Sequence, residues 1–309
     1  MVEAIPNISE GRRPEVVRAV ADAVAGVRDV VLLDWTSDAS HHRSVLTIAG
    51  APEAIREAIL QLFEVTVPHV DLRRHRGAHP RIGAVDVVPF VPLDETPMEV
   101  CVTLARSTAA LVAERHGIPV YLYEAAATRP ERRRLELIRR GQFEGLAGRL
   151  ADPQWYPDYG PPRPHPTAGA TAMAARRPLV AFNVNLASTD LAAARQIARA
   201  VRTSGGGLPC VKALGVRLSA TPDGRVQVSM NLTDYRRTPV SAALARVTAE
   251  AERRGIAVSG AELVGLAPRE ALDGSAGGAP VLDLVGADRT LEARLARHAE
   301  INGPDRAGP

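Results

Sequence analysis

Asp29-Val30-Val31-Leu32-Leu33-Asp34-Trp35-Thr36-Ser37-Asp38-Ala39-Ser40-His41-His42-Arg43-Ser44-Val45-Leu46-Thr47-Ile48-Ala49-Gly50 is the stretch that decides the fold. Residues 29–35 and 44–50 are apolar runs rich in Val, Leu and Ile, and the polar connection between them is too short to hold a crossover helix. They therefore form adjacent antiparallel strands. On their N-terminal side lie a strand at 2–5, a turn at 7–11 and an amphipathic helix at 14–24. On their C-terminal side come a helix at 52–65 and a strand at 83–90. This order is βαββαβ, and a helix at 98–116 and a strand at 118–123 are appended to it.

The second half repeats the plan. A strand at 179–185 and a helix at 189–201 precede two strands, 211–218 and 226–231, turned around Pro222-Asp223-Gly224. A helix at 240–253 and a strand at 261–266 complete a second βαββαβ set. The expected fold class is α+β, with two similar subdomains at 1–177 and 178–300, each a sheet with helices on one face. Ligands commonly bind between such units.

With 309 residues, 46% hydrophobic and 24% charged, the chain has enough apolar material for a sizeable core, and only its last few residues read as disordered. It has no apolar run of about 18 residues, and Val2-Glu3-Ala4-Ile5 begins without a signal-peptide pattern, so a soluble, cytoplasmic protein without membrane partners is expected. Cys101 and Cys210 are too few and too far apart for a disulfide framework or a zinc site. All the basic residues except Lys212 are arginine, yet the net charge is only +3 and no basic tail or aromatic-interleaved stripe is present, so nucleic acid is not expected as a partner.

Chemistry concentrates in Leu72-Arg73-Arg74-His75-Arg76-Gly77-Ala78-His79-Pro80-Arg81-Ile82-Gly83-Ala84-Val85-Asp86. Gly77 and Pro80 make this a loop, and the apolar run after it is a strand, so the loop sits where a rigid sheet positions side chains. An imidazole exchanges protons near neutral pH while guanidinium groups hold carboxylates without titrating, a combination suited to an anionic substrate. Taken alone, an arginine run is usually a solvated face and an isolated histidine is usually structural. The four-residue spacing of His75 and His79 would suit metal ligation on a helix, but glycine and proline spoil that geometry, so no metal is expected. His79 is the histidine singled out.

Residues 151–177 are rich in Pro, Gly and Tyr and have the composition of a linker. Trp155, Tyr156 and Tyr159 argue instead for a binding segment, in which stiff Pro-rich loops let a flat ligand lie against backbone.

Seven motifs in order complete the reading: Ile5-Pro6-Asn7-Ile8-Ser9-Glu10-Gly11, the loop from Arg74 to Pro89, Val120-Tyr121-Leu122-Tyr123, Tyr156-Pro157-Asp158-Tyr159-Gly160-Pro161, Gly169-Ala170-Thr171, Ala181-Phe182-Asn183-Val184-Asn185-Leu186 and Leu263-Val264-Gly265-Leu266. Together they resemble the glutamate formimidoyltransferase family, the transferase half of formiminotransferase-cyclodeaminase, over nearly the whole chain. The resemblance implies transfer of the formimino group from N-formimino-L-glutamate to tetrahydrofolate, giving 5-formiminotetrahydrofolate and L-glutamate in histidine degradation. It also implies two α/β subdomains with folate in a tunnel between them, and a homodimer formed through the N-terminal one. The family's catalytic histidine falls on His79. Its folate segment falls on Gly160, Pro161, Pro162, Arg163, Pro164, His165, Pro166, Thr167, Ala168 and Gly169. No cyclodeaminase region is expected here, so that second activity is expected elsewhere.

Two departures from the family pattern stand out. His42 occupies a place where relatives carry Asn before Arg43, and Arg163 and His165 stand where animal enzymes are neutral.

Tetrahydrofolate is expected as co-substrate, with no bound cofactor. One histidine can carry both proton transfers, from the attacking folate nitrogen and to the departing glutamate nitrogen. Arg43, Arg74 and Arg81 are expected to clamp carboxylates, with Asp38 and Asn183 as further substrate contacts. A side chain at Gly169 is expected to intrude on folate with little loss of fold. Rival readings are formyl exchange between 5-formyltetrahydrofolate and glutamate on the same scaffold, a non-catalytic folate- or amino-acid-binding regulatory module, and a zinc-dependent cyclohydrolase, which the lack of cysteine near the histidines discourages.

Overall fold

β1 (Val2–Ala4) and β2 (Asn7–Ile8) are two pieces of one path interrupted at Ile5-Pro6, where proline has no N–H to give to a ladder. Both pieces lie antiparallel between the same two neighbours. The turn expected at 7–11 therefore starts only after Ile8. The computed structural model describes residues 1–218, 224–274 and 280–302.

The chain divides into two compact units, Met1–Arg176 and Arg177–Pro309. In the first unit the elements that follow are α1 (Pro14–Ala25), β3 (Val30–Asp38), β4 (Arg43–Gly50), α2 (Pro52–His69), β5 (Val85–Pro92), α3 (Met98–His116) and β6 (Val120–Glu124). Proline stands in the first turn of α1 and of α2, where its missing N–H goes unnoticed. α4 (Leu135–Ile138), α5 (Gln142–Leu150) and β7 (Thr171–Ala175) complete the unit.

β7 corrects the expectation of a continuous binding segment at 151–177. It lies between β5 and β6, parallel to both, and all five of its residues are buried. A strand covered on both faces shows no alternation, and Thr-Ala-Met-Ala-Ala has no β-branched signature beyond its first residue. The sheet runs from β3 through β4, the β1/β2 path, β5 and β7 to β6. On one face Val20, Ile59, Phe63 and Leu104 of the three long helices pack against Ile48, Phe90, Leu122 and Met173. On the other, Ile138, Leu146 and Leu150 of α4 and α5 meet Tyr121, Tyr123, Ala172 and Ala174. Neither α4 nor α5 is expected from the sequence pattern.

The second unit holds β8 (Val180–Leu186), α6 (Leu191–Val201), β9 (Val211–Arg217), β10 (Val226–Leu232), α7 (Val240–Glu252) and β11 (Val258–Val264). Its order is β11-β8-β10-β9, with every pairing antiparallel. Asp190 caps α6 by accepting from the amides of Ala192 and Ala193 at 2.8 and 3.1 Å. Phe182, Val184, Val228 and Leu263 pack against Ile197, Val201 and Val247. This is the expected βαββαβ order with one shift: the last strand begins at Val258, not at residue 261. Pro222 and Asp223 of the expected hairpin turn lie outside the described residues.

Candidate active site

A bulge in β5 builds the floor of the basic loop. Asn7 pairs with Val87 but Ile8 with Val85, so Asp86 is the extra residue. Its side chain turns back on the loop, Oδ1 accepting from the amides of Ile82 and Gly83 at 2.7 and 3.3 Å. Oδ2 accepts from Nη2 of Arg139, the residue just after α4. Neither Asp86 nor Arg139 is among the candidates chosen from sequence. The acidic residue stood in the quoted loop without an assigned role, and Arg139 lay in a stretch read without an element.

His79 lies between α2 and β5, half-buried. Arg43, the first residue of β4, donates from Nη1 to Nε2 of His79 at 2.6 Å. Donation into Nε2 requires a neutral imidazole with its lone pair there. The electrostatics agree. Lost hydration first, then the positive charges of Arg43 and Arg139, hold His79 well below the ordinary imidazole value of 6.5. Arg43 itself is lowered to about 10 by burial and by Arg139, against the opposing pull of Asp86 and Asp38. Arg43 thus contacts a neutral histidine, and Arg139, paired with Asp86, adds positive charge to the same site. An anion is the partner such a group favours.

Asp38 and Arg43 pair in register as the last rung of the β3–β4 hairpin. Asp38 uses Oδ1 to accept the amide of His41 at 2.7 Å, and the His41 ring lies 6.1 Å from that of His79. The hairpin tip is tied to the basic loop by the amide of Ala78 donating to the carbonyl of Ser40 at 3.0 Å. Gly77 is required there, because a Cβ would stand 2.3 Å from the His41 carbonyl oxygen.

His75 is buried and structural. Its Nε2 donates to the His42 carbonyl at 2.8 Å and its Nδ1 accepts from Nε of Arg81 at 3.1 Å. Burial, foremost, pushes it down to about 4. Its ring stacks on that of His42 at 4.1 Å. His42, the departure from the family pattern, has φ 52 and places Nε2 3.3 Å from Oε1 of Glu10. Glu10 is 1% exposed and accepts the amides of Gly11, Arg12 and Arg13 at the start of α1. Those amides and the Arg13 side chain keep its carboxylate lowered although burial pulls the other way.

The expected arginine clamp divides. Arg43 stands on His79, whereas the buried fork of Arg81 is held by both oxygens of Glu144 at 2.7 Å each; that bond lowers Glu144 to about 2. Arg74 is exposed on the loop. Asn183 belongs to β8 in the second unit, buried, donating to Glu262 at 3.1 Å.

Residues 160–169 adjoin the basic loop at their C-terminal end. The carbonyl of Thr167 receives the amide of Leu72 at 2.9 Å, and that of Ala168 receives the amide of Ala84 at 2.9 Å. Gly169 (φ 71) bridges to Gly83 and to His165. His165 turns Nδ1 onto the amide of Ala168 at 3.0 Å, while Gly160, Pro162, Arg163 and Pro166 are exposed. Among the described residues no group of three or more His, Cys, Asp or Glu is arranged to hold a metal ion, and no helix is long and apolar enough to cross a membrane.

Residues 1–176 match the family model for the N-terminal subdomain of the formiminotransferase domain, and residues 181–277 match the model for the formiminotransferase domain. The glutamate formimidoyltransferase of Streptococcus pyogenes serotype M1 is 44% identical over 273 residues, 88% of this chain and 90% of that one. The enzyme of the same name from Thermoplasma acidophilum is 43% identical over 274 residues, 88% of this chain and 89% of that one. The formimidoyltransferase-cyclodeaminase of Gallus gallus is 41% identical over 278 residues, and the match covers 88% of this chain and 51% of that protein.

Proposed function

The chain belongs to the formiminotransferase family, and from that premise we propose that it transfers the formimino group from N-formimino-L-glutamate to tetrahydrofolate, in histidine degradation. The observation that carries this is 44% identity to a glutamate formimidoyltransferase across 90% of its length. The rest of this reading concerns which residues do the work.

His79 is the general acid/base. It takes the proton from the folate N5 as that nitrogen attacks the amidine carbon, and it returns a proton to the departing glutamate nitrogen as the tetrahedral intermediate collapses. A lowered imidazole is unprotonated at neutral pH, ready to accept, and once protonated it is a strong acid, ready to give. The lone pair it needs accepts from Nη1 of Arg43. A glutamate carboxylate is a better partner for a guanidinium than a neutral nitrogen is. Substrate binding therefore turns Arg43 to the carboxylate and frees Nε2, so the base is exposed only when its substrate is present.

Residues 160–169 line the folate. What supports this is the family segment together with its main-chain bonds to the loop that carries His79. The family reading also makes the enzyme a cytoplasmic homodimer joined through its N-terminal unit, using tetrahydrofolate as co-substrate and no bound cofactor. The deciding experiment assays the purified protein with formiminoglutamate and, separately, formylglutamate, each with tetrahydrofolate. Turnover with formiminoglutamate is expected. Turnover with formylglutamate alone would replace formimino by formyl transfer, and no turnover with either would remove the catalytic reading.

A further inference from the structure

The guanidinium of Arg81 has no donor to spare. Nε donates to Nδ1 of His75 at 3.1 Å, and Nη1 donates to Oε2 of Glu144 at 2.7 Å and to Oε1 of Gln142 at 3.3 Å. Nη2 donates to Oε1 of Glu144 at 2.7 Å and to the His75 carbonyl at 3.3 Å. A guanidinium carries five N–H groups in a fixed plane and no acceptor, so those bonds use all of them. Arg81 therefore serves the protein, not a ligand.

Its main chain is gripped from the same side. The amide of Phe143 donates to the Arg81 carbonyl at 3.0 Å, so Gln142, Phe143 and Glu144 at the start of α5 hold Arg81 by its backbone and by its fork. An exposed ion pair contributes little. Here the Arg81 side chain is only 7% exposed against 56% for Glu144, so loss of the carboxylate would strand a buried charge. The hydrogen bonds from Arg81, foremost, lower Glu144 to about 2, and the pair therefore stays ionised wherever the enzyme is assayed.

From Arg81 the contacts run to both partners of the central hydrogen bond. In one direction Arg81 fixes His75, which donates to the His42 carbonyl at 2.8 Å and stacks on the His42 ring at 4.1 Å. The next residue is Arg43. In the other direction only Pro80, with its fixed φ, separates Arg81 from His79. Arg43 and His79 meet at 2.6 Å. Should a carboxylate draw Arg43 away, the path through His42, His75 and Arg81 still ties the two residues together.

We propose that Glu144 is a positioning residue for the transfer: by fixing Arg81 it sets the spacing of Arg43 and His79 and keeps that spacing when the bond between them opens. This rests on the reading of His79 as the general acid/base. Misplacing a catalytic group by about 1 Å can slow a reaction on the order of 10²-fold, so a brace outside the chemistry can govern its rate.

The test is a double-mutant cycle on Glu144→Gln and His79→Ala, with formiminoglutamate and tetrahydrofolate as substrates and a urea midpoint to show that each variant is folded. Glu144→Gln keeps the size of the side chain and one acceptor oxygen but loses the charge and the two-oxygen grip. With His79 present, kcat is expected to fall on the order of 10-fold while the KM for formiminoglutamate stays within about 2-fold. In the His79→Ala background the same substitution is expected to change kcat by less than about 2-fold, because the group it positions is gone. If Glu144→Gln does not fold, Glu144→Asp, which keeps the charge but cannot reach with both oxygens, carries the same cycle. An undiminished kcat, a loss confined to KM, or an equal fall in kcat with and without His79 would each overturn the assignment. Near-normal turnover in His79→Ala would remove the His79 reading and the brace with it, whereas slow turnover in His79→Ala beside wild-type turnover in Glu144→Gln would remove the brace alone.

Discussion

At the scale of single residues, the proposed site turns on a histidine whose protonation is disfavoured first by burial and then by neighbouring arginines. His79→Ala is expected to lower turnover about 10²-fold or more with folate affinity nearly unchanged, read from steady-state kinetics beside equilibrium binding. Near-normal turnover would remove His79 from the chemistry. The pH profile tests its partner. Burial, and after it the positive charge of Arg43 and Arg139, disfavours protonation of the imidazole, so the acid limb of kcat/KM in wild type should lie well below 6.5. Arg43→Met deletes the nearest of those charges but leaves the burial, so the limb should move part of the way up while the KM for formiminoglutamate rises. A limb that stays in place would mean that Arg43 does not act on His79. Sequence alone singled out His79 as the candidate, because an imidazole among arginines on a loop ahead of a strand is a local pattern. It did not reveal Asp86 and Arg139 as a pair, since 53 positions separate them and only the β5 bulge and the end of α4 bring them together.

At the scale of elements, periodic segments with strong side chains were readable and buried small-residue segments were not. The β3–β4 pair and the helix at 98–116 carry Val, Leu and Ile at strand or helix spacing, and they occur where that spacing places them. β7 is built chiefly from alanine and methionine, so its place inside the sheet comes from what covers it on both faces. Gly169 ends the turn that enters β7, and here the structure changes an expectation. A Cβ would lie 2.1 Å from the Ile82 carbonyl oxygen, and φ is 71, a region that strains a β-branched residue. Gly169→Val is therefore expected to destabilise the fold by about 3 kcal/mol or more in urea denaturation, beyond any effect on folate. Wild-type stability in that variant would show that the turn yields, and would return Gly169 to the role of a plain ligand contact. The exposed Arg163 is the cleaner probe of folate contact, since no core depends on it.

At the scale of the whole molecule, the repeated βαββαβ order was legible because each half carries its own helix and strand periods, and the structure has two sheets, each with its own core. The same scale decides whether the protein needs a metal. A cation at the histidines would have to take lone pairs already in use: Nδ1 of His75 receives Arg81, and Nε2 of His79 receives Arg43. It would also enter a field set by Arg43 and Arg139, whose charges already depress the imidazole's affinity for a proton and would oppose a divalent ion more strongly. Attack on a protonated amidine asks for proton transfer and alignment, which side chains provide. Exhaustive dialysis against a chelator is therefore expected to leave the rate with formiminoglutamate unaltered. Loss of activity that returns on adding zinc would mean that Arg43 leaves His79 to make room for a metal, and would make His41, His42, His75 and His79 the first residues to substitute in search of its ligands.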